Sequence, residues 1–130
     1  QALCPMMQFS ASPWRYLSAA NQKIVQDAVA LRQRFAPTFV ELAKRAAKDG
    51  QPIMRNLEYV YPGCGYAAVR DQFLMGDDLL VAPVVEAGAT SRKVVIPPGT
   101  WKADDGAVVT GPATVEVATP LARLPHFVRQ

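Results

Sequence analysis

Histidine and cysteine are scarce in this chain, whose 130 residues include one His and two Cys. His126, Cys4 and Cys64 lie far apart in the sequence, and neither cysteine belongs to a CxxC pair. Zinc sites need several closely spaced ligands of these types, so the sequence predicts no metal site. We expect no other cofactor either. We expect two reduced thiols, because a disulfide would require the fold to bring two distant segments together.

Long apolar runs and clustered basic residues are also missing. No run of 18 apolar residues occurs, so the sequence predicts no membrane-spanning helix and no membrane partner. The net charge is only +3, and the basic residues are scattered rather than interleaved with aromatic ones, which predicts no nucleic-acid partner. The chain does not begin with Met or with a charged segment that leads into an apolar core. We therefore expect that further sequence precedes it in a parent protein.

The most regular pattern in the chain is a helical one. Apolar residues recur at steps of three and four between residues 24 and 46, which predicts an amphipathic helix from about Asn21 to Asp49. A side-chain oxygen of Ser18 or Asn21 can cap its first turn, and Gly50 should end it. Pro37 lies inside this helix, and its ring would clash with the carbonyl four residues earlier. We expect a kink there, or a break into two helices.

The region after the helix predicts a strand and then a connection. Pro52 to Tyr61 is rich in aliphatic and aromatic residues and is followed by Pro62-Gly63, which is typical of a strand closed by a turn. A helix, a short turn and a strand in that order form an α/β unit of the kind that builds a parallel sheet. The connecting segment from Gly63 to Gly76 is expected to contain one helical turn, around Ala67 to Phe73.

From Leu79 onward the pattern predicts β-structure alone. Short runs of β-forming residues alternate with glycine and proline, as in an antiparallel sandwich or barrel. The triplet Asp104-Asp105-Gly106 has the composition of a hairpin turn. Neither half of the chain is large enough to form an independent core, so we expect it to be part of a larger protein.

Three segments, in the same order, resemble family 31 glycoside hydrolases. The segment from Leu31 to Pro62 is similar to the family's last barrel helix and final barrel strand. The most specific motif is DQFLMGDDLLVAPV, Asp71 to Val84, and the β-rich tail is similar to the strands that follow the barrel. The resemblance implies an α/β plus all-β fold. Residues 1–62 would be the C-terminal end of a (β/α)8 barrel, and residues 79–130 would form a C-terminal antiparallel β-sandwich. Residues 63–78 would be the segment that connects the two.

The resemblance also implies an activity for the parent protein. Such a protein would be a retaining, exo-acting α-glycosidase that hydrolyses terminal α-linked glucosides or galactosides. Retaining glycosidases use two carboxylic acids, and in this family both are aspartates on middle strands of the barrel. The family's nucleophile segment, of the type W-x-D-M-N-E, does not occur here. We therefore expect no catalytic residue in this chain, which should be inactive on its own.

The acidic residues and the histidine of the chain have simpler interpretations than catalysis. Asp104 and Asp105 are explained by the hairpin turn. Three further aspartates lie in or beside turns, where such residues usually bind backbone N–H groups rather than a metal: Asp71, Asp77 and Asp78. His126 lies among apolar residues and is expected to be a packed or edge residue of a strand.

Substrate contacts are expected only near the start of the chain. The segment CPMMQFS, Cys4 to Ser10, matches the family's S-P-F-F-R-N-H segment, whose Arg and His reach the sugar. Gln8 and Ser10 stand at those two positions, and the change resembles a branch of the family in which α-galactosidase activity is known. Both residues are predicted either to contact substrate or only to cap their loop. Trp14 either stacks on a sugar face or, as we favour, packs the loop down.

The expected partners follow from the same resemblance. They are a carbohydrate substrate, the remainder of the catalytic barrel, and a further copy or chain bound through the apolar helix stripe. The alternative from a different class is a carbohydrate-binding or interaction module without catalysis. Such a module would need exposed aromatic residues, for which the β-rich half offers Trp101 and Tyr66.

Overall fold

The computed structural model describes residues 2–130 and divides into two compact units. The first unit extends to Ile53, and the second is Met54–Gln130. The first contains a short 3₁₀ helix, Pro13–Arg15, and the long helix α1, Ala19–Asp49. The second contains the short helix α2, Leu57–Val60, and six strands: β1 Met54–Arg55, β2 Phe73–Met75, β3 Leu79–Val81, β4 Ser91–Ala103, β5 Val108–Ala118 and β6 His126–Arg129.

Helix α1 confirms the predicted helix and both of its ends. The Ser18 hydroxyl accepts a hydrogen bond from the backbone N–H of Asn21 at 3.3 Å. Gly50 ends the helix at φ +72°, and its N–H donates to the carbonyl of Ala46. The helix continues through Pro37, so the expected break into two helices is wrong. A proline removes one hydrogen bond, and the turns on either side of it are long enough to stay helical. Within residues 2–130, no helix has both the length and the apolar character needed to cross a bilayer.

The strand predicted from Pro52 to Tyr61 is wrong over most of its length. Only β1 is extended, and Asn56 then accepts a hydrogen bond from the N–H of Tyr59 at 2.7 Å and caps α2. The side chain of Asn56 gives the backbone an alternative to strand pairing, because it accepts a hydrogen bond from the N–H of Tyr59. In a strand, that N–H would need a partner on a neighbouring strand. In place of the helical turn predicted around Ala67 to Phe73, the structure has one hydrogen-bonded turn, in which the N–H of Val69 donates to the carbonyl of Tyr66 at 2.9 Å, and Phe73 begins β2.

The strands form one six-stranded sheet in the order β1-β2-β3-β6-β4-β5. Every neighbouring pair is antiparallel, so the antiparallel prediction is confirmed and the parallel strand expected at residues 52–61 is not. The structure gives one continuous sheet in place of the two sheets of a sandwich, because β6 pairs with β3 along one edge and with β4 along the other. The assignment of residues 1–62 to a barrel concerns a larger assembly and stays a prediction.

Strands β4 and β5 form a long hairpin with one irregularity in its register, between Ile96 and Gly99. The turn at its tip is the predicted one: the Asp105 carboxylate accepts from the N–H of Ala107 at 3.0 Å, and Gly106 has φ +91°. Next to the irregularity, the indole N–H of Trp101 donates to the carbonyl of Pro97 at 2.9 Å. Trp101 is fully buried in the core of the second unit, with Leu57, Leu74, Leu80, Val94, Ile96 and Phe127.

Gln72 completes the hydrogen bonding of β4 at Val95, a residue that pairs with β5 but lies beyond the stretch of β4 paired with β6. Its side-chain amide donates to the carbonyl of Val95 at 2.6 Å and accepts from the N–H of Val95 at 2.9 Å. The side chain is buried, with the residue only 4% exposed. Because an unpaired buried backbone group is costly, this amide takes the place of a strand residue and fixes the segment before β2 to β4.

Candidate functional site

The three predicted substrate-binding residues lie on one exposed segment, which we call the N-terminal loop, residues 6–14. Gln8, Ser10 and Trp14 are all exposed. Trp14 belongs to the 3₁₀ helix and is 56% exposed, which argues against its role as a packing anchor within this chain. The segment also exposes other large apolar side chains, among them Met6 and Phe9.

Arg32 on α1 binds the chain just before this loop. Its guanidinium donates to the carbonyls of Ala2 at 3.2 Å, Cys4 at 2.6 Å and Pro5 at 2.9 Å. The guanidinium carbon lies 4.8 Å from the centre of the ring of Phe39, which is about two turns farther along the helix. The backbone before the loop is therefore held against α1 by three charge-assisted hydrogen bonds.

Gln22 on α1 binds the other end of the loop. Its side-chain amide donates to the carbonyl of Trp14 at 3.3 Å and to that of Leu17 at 2.8 Å. The loop that carries Gln8 and Ser10 is thus attached to one helix at both ends, while its own polar side chains remain exposed to the surroundings. Whether those side chains bind substrate or only stabilise their loop stays a prediction.

The aspartates of the DQFLMGDDLLVAPV motif are engaged in structure. Asp77 pairs with the buried Arg55 at 2.6 Å, and Asp71 pairs with Arg92 at 2.8 Å. The carbonyl of Asp78 accepts from the N–H of Arg129 in β6. These bonds join the motif to three different parts of the second unit, so the motif has a structural role there.

The hairpin aspartates also form ion pairs. Arg123 binds Asp104 through two of its nitrogens, at 2.8 Å and 2.9 Å, and binds Asp105 at 2.9 Å. The N–H of Ala107 and, next to it, the charge of Arg123 lower the pKa of Asp105 below its usual 3.8. A general acid needs a raised pKa near the working pH, so Asp105 is unsuited to that role.

The lowered pKa of Asp105 predicts a dependence of stability on pH. A carboxyl group whose pKa is lower in the folded state stabilises the fold above its unfolded pKa, and this contribution is lost as the pH falls through the folded value. We therefore expect the chain to lose stability below about pH 3.9, the unfolded value for Asp. Asp105→Asn should be less stable than the unsubstituted chain at pH 7 and should lose less on acidification. Urea unfolding at pH 7 and pH 3 measures both differences, and equal acid sensitivity of the two proteins would contradict the assignment.

Candidate metal ligands do not cluster in residues 2–130. No group of three or more His, Cys, Asp or Glu residues is placed there to hold a metal ion. His126 is buried at the start of β6, with its Nδ1 2.9 Å from the carbonyl of Leu124, as expected of a packed residue. Both cysteines are free thiols.

The two aromatic residues predicted as candidates for a sugar-binding surface are not exposed in the second unit. Trp101 and Tyr66, the two candidates, are 0% and 8% exposed and belong to the core. An open cleft of about 570 Å³ is lined in part by Arg70, Asp71 and Gln72. Two of these polar groups are engaged already, because Asp71 binds Arg92 and Gln72 binds Val95.

Comparison with known proteins decides the family. Residues 50–130 match the model of the glycosyl hydrolase family 31 C-terminal domain. The chain belongs to glycoside hydrolase family 31. The resemblance to the family is confirmed, and the matched region includes both the DQFLMGDDLLVAPV motif and the whole sheet.

Named members of family 31 show how much of such proteins this chain represents. The myogenesis-regulating glycosidase of Mus musculus is 43% identical over 107 residues, which cover 81% of this chain and 15% of that protein. Alpha-glucosidase 2 of Bacillus thermoamyloliquefaciens is 29% identical over 120 residues, 91% of this chain and 15% of that protein. A family 31 alpha-xylosidase from a soil metagenome, solved in complex with xylose, superposes with a TM-score of 0.85 at 35% identity, over 96% of this chain and 19% of that one. The chain thus spans less than a fifth of the length of these relatives.

Two features of the site were missed at the level of sequence. Arg32 and Gln22 hold the N-terminal loop, yet on a helical pattern they are indistinguishable from residues of a solvated face. No local pattern in the sequence marks the contact of Arg32, because the carbonyls that it binds lie 27 to 30 residues away. Such carbonyls need partners from elsewhere when they are buried.

Proposed function

We propose that this chain is the C-terminal part of a retaining, exo-acting α-glycosidase that hydrolyses terminal α-linked glucosides or galactosides. The observation that carries the proposal is the N-terminal loop, which α1 holds at both ends and which exposes Gln8 and Ser10. Membership of family 31 supports it, as do the names of relatives that are glycosidases and glucosidases.

The proposal assigns the bond-breaking step to residues outside this chain. Retaining glycosidases use one carboxylate as a nucleophile and another as acid and base, about 5–5.5 Å apart. The aspartates of the DQFLMGDDLLVAPV motif and of the hairpin form ion pairs with arginines or bind backbone, which suits them for structure. In the proposed parent protein, the helical first unit of this chain, up to Ile53, contributes to a (β/α)8 barrel, and the rest of that barrel carries both catalytic aspartates. That remainder of the barrel is then the partner of this chain, and a carbohydrate is its ligand.

Gln8 and Ser10 would then select the sugar. The amide of Gln8 can both donate and accept hydrogen bonds, and the hydroxyl of Ser10 can do the same. When a sugar covers them, each must meet a hydroxyl group, because leaving one buried and unpaired costs about 1–3 kcal/mol. Two sugars that differ in the orientation of one hydroxyl would therefore bind with different affinities. Trp14 would contribute a flat apolar surface at the edge of this contact.

Kinetics of the gene's complete translation product test this function. We expect it to hydrolyse an aryl α-glucoside or an aryl α-galactoside, whereas the 130-residue chain alone should hydrolyse neither. Gln8→Ala and Ser10→Ala should each lower kcat/KM by about 10- to 100-fold, the equivalent of about 1.4–2.7 kcal/mol of lost transition-state stabilisation. They should also change the ratio of kcat/KM between the two substrates.

Two matched variants control for loop stability. Ser12→Ala removes a hydroxyl from the same segment, and Gln26→Ala removes an exposed amide from α1; both should leave kcat/KM within about twofold, as expected of surface changes. A complete product that hydrolyses neither substrate would reject the proposed activity. Equal effects of the Ser10 and Ser12 substitutions would reject the role of Ser10.

A further inference from the structure

The guanidinium of Arg32 has an unusual set of partners for a residue on the surface of a helix. It donates to three backbone carbonyls, those of Ala2, Cys4 and Pro5, that lie 27 to 30 residues away in the sequence. Two of its nitrogens take part, Nη1 with two carbonyls and Nη2 with one. The N–H donors of a guanidinium group lie in a fixed plane, so one arginine can bind several carbonyls at the same time and fix their relative positions.

The carbonyls that Arg32 binds need a partner that the local chain does not supply. Residues 2–5 form turns and bends rather than a helix or a strand. Of the three residues whose carbonyls Arg32 binds, Ala2 is 7% exposed, and Cys4 and Pro5 are half-buried. Buried carbonyls without a hydrogen bond are rare in folded proteins because each one costs free energy. The Phe39 ring beside the guanidinium further limits where the arginine can point, since a cation over a ring face is stabilised there.

The length of the N-terminal loop makes both of its anchors necessary for a single conformation. Arg32 and Gln22 are ten residues apart on α1, a distance of about 15 Å along the helix axis at 1.5 Å per residue. The chain from Pro5 to Trp14 could extend to about 30 Å. The loop is thus about twice as long as the distance that it must span. When only one end is held, such a loop has many conformations, and fixing one of them costs about 1–2 kcal/mol of conformational entropy per residue.

We infer that Arg32 is a positioning residue for substrate: by clamping the start of the N-terminal loop to α1, it holds Gln8 and Ser10 in the conformation that binds the sugar. This inference rests on the proposed function. Arg32 touches neither the sugar nor the reacting atoms in this account. It raises the fraction of molecules whose loop is ready to bind before substrate arrives.

The inference makes a kinetic prediction that differs from simple loss of stability. When only a fraction of molecules has the binding-competent loop, the apparent dissociation constant rises by the inverse of that fraction. Saturating substrate then restores the ordered loop. In the complete translation product, Arg32→Gln should therefore raise KM for the aryl α-glycoside at least tenfold and leave kcat within about threefold. A variant that is merely less folded would instead lose kcat at constant KM.

Three further variants separate the clamp from the charge and from the helix. Arg32→Lys keeps the charge but has no planar fork, so its KM should lie between those of the unsubstituted protein and Arg32→Gln. Phe39→Leu removes the ring beside the guanidinium and should raise KM less than Arg32→Gln does. Arg34→Gln changes an exposed arginine two residues away and should change neither constant.

Amide hydrogen exchange, measured by mass spectrometry on the same proteins, reports directly on how well the loop is ordered. Peptides from residues 2–14 should exchange at least tenfold faster in Arg32→Gln than in Arg34→Gln, with no change in peptides of the second unit. Unchanged exchange, or faster exchange with an unchanged KM, would overturn the inference. If the unsubstituted product hydrolyses neither substrate, the proposed function fails, and exchange alone still decides whether Arg32 fixes the loop.

Discussion

Replacing Gly111 with alanine should destabilise the second unit by about 4 kcal/mol, which combines overpacking against rigid backbone with the loss of a buried hydrogen bond. A Cβ on Gly111 would lie 2.1 Å from the carbonyl oxygen of Pro97 and 2.8 Å from that of Ile96. Both obstacles are backbone atoms, so no side-chain rotation can relieve the clash. The carbonyl of Pro97 is also the acceptor for the indole N–H of Trp101, and moving it would break that bond.

Trp101 reports this change through its own fluorescence. The other tryptophan, Trp14, is exposed, so the substitution Trp14→Phe leaves a signal from the core alone. Urea unfolding followed in that background should show a lower midpoint for Gly111→Ala. Gly106→Ala is the matched control: its Cβ meets nothing within 4 Å, but its φ is +91°, so only backbone strain of about 1 kcal/mol applies. Equal losses for the two variants would refute the proposed close approach of β5 to β4.

Replacing Gln72 with leucine should cost about 2–4 kcal/mol, because two backbone groups of Val95 lose their partner and each unsatisfied group costs about 1–3 kcal/mol. Leucine has nearly the same volume, so a cavity contributes little. The buried amide of Gln72 binds both the N–H and the carbonyl of Val95. The measured quantity is again the free energy of unfolding in urea. Gln26→Leu, an exposed glutamine on α1, should change it by less than about 0.5 kcal/mol.

A second variant at the same position distinguishes hydrogen bonding from packing. In Gln72→Glu, the ionised carboxylate can still accept a hydrogen bond from the N–H of Val95. It has no proton to donate to the carbonyl of Val95, so that hydrogen bond is lost. Burial and that carbonyl raise the pKa of the new carboxyl in the folded state. The protonated form is thus favoured by folding, and stability relative to the unsubstituted chain should rise as the pH falls from 7 to 4. A difference that stays constant over this range would show that Gln72 acts by filling space.

Local patterns in the sequence predicted the features that depend on neighbouring residues. Helix α1 follows from the spacing of its apolar residues, with Ser18 at its start and Gly50 at its end. The tip of the β4–β5 hairpin follows from Asp105-Gly106, whose side chain and backbone supply the turn without help from elsewhere. In each case the physical cause lies within a few residues of the effect, so periodicity and turn chemistry are sufficient.

The errors arose where a distant partner or a competing local bond decides the structure. Asn56 ends β1 because its side chain caps α2, and the apolar run around it obscured that competition. Gln72 binds Val95 across 23 residues, and the pair Arg55–Asp77 spans 22. No periodicity in the sequence reports either contact. The location of the candidate site came from the resemblance to family 31, and its anchors, Arg32 and Gln22, became visible only in the structure.

The position of β6 has a consequence for how the protein is made. Translation delivers β6 last of the six strands, yet β6 lies in the interior of the sheet and joins β3 to β4. Until it emerges from the ribosome, β2–β3 and β4–β5 are separate hairpins, each with an open edge to which another chain can add. A stop codon before His126 would leave them in that state. We therefore expect nascent chains of this domain to be prone to aggregation until β6 has been synthesised.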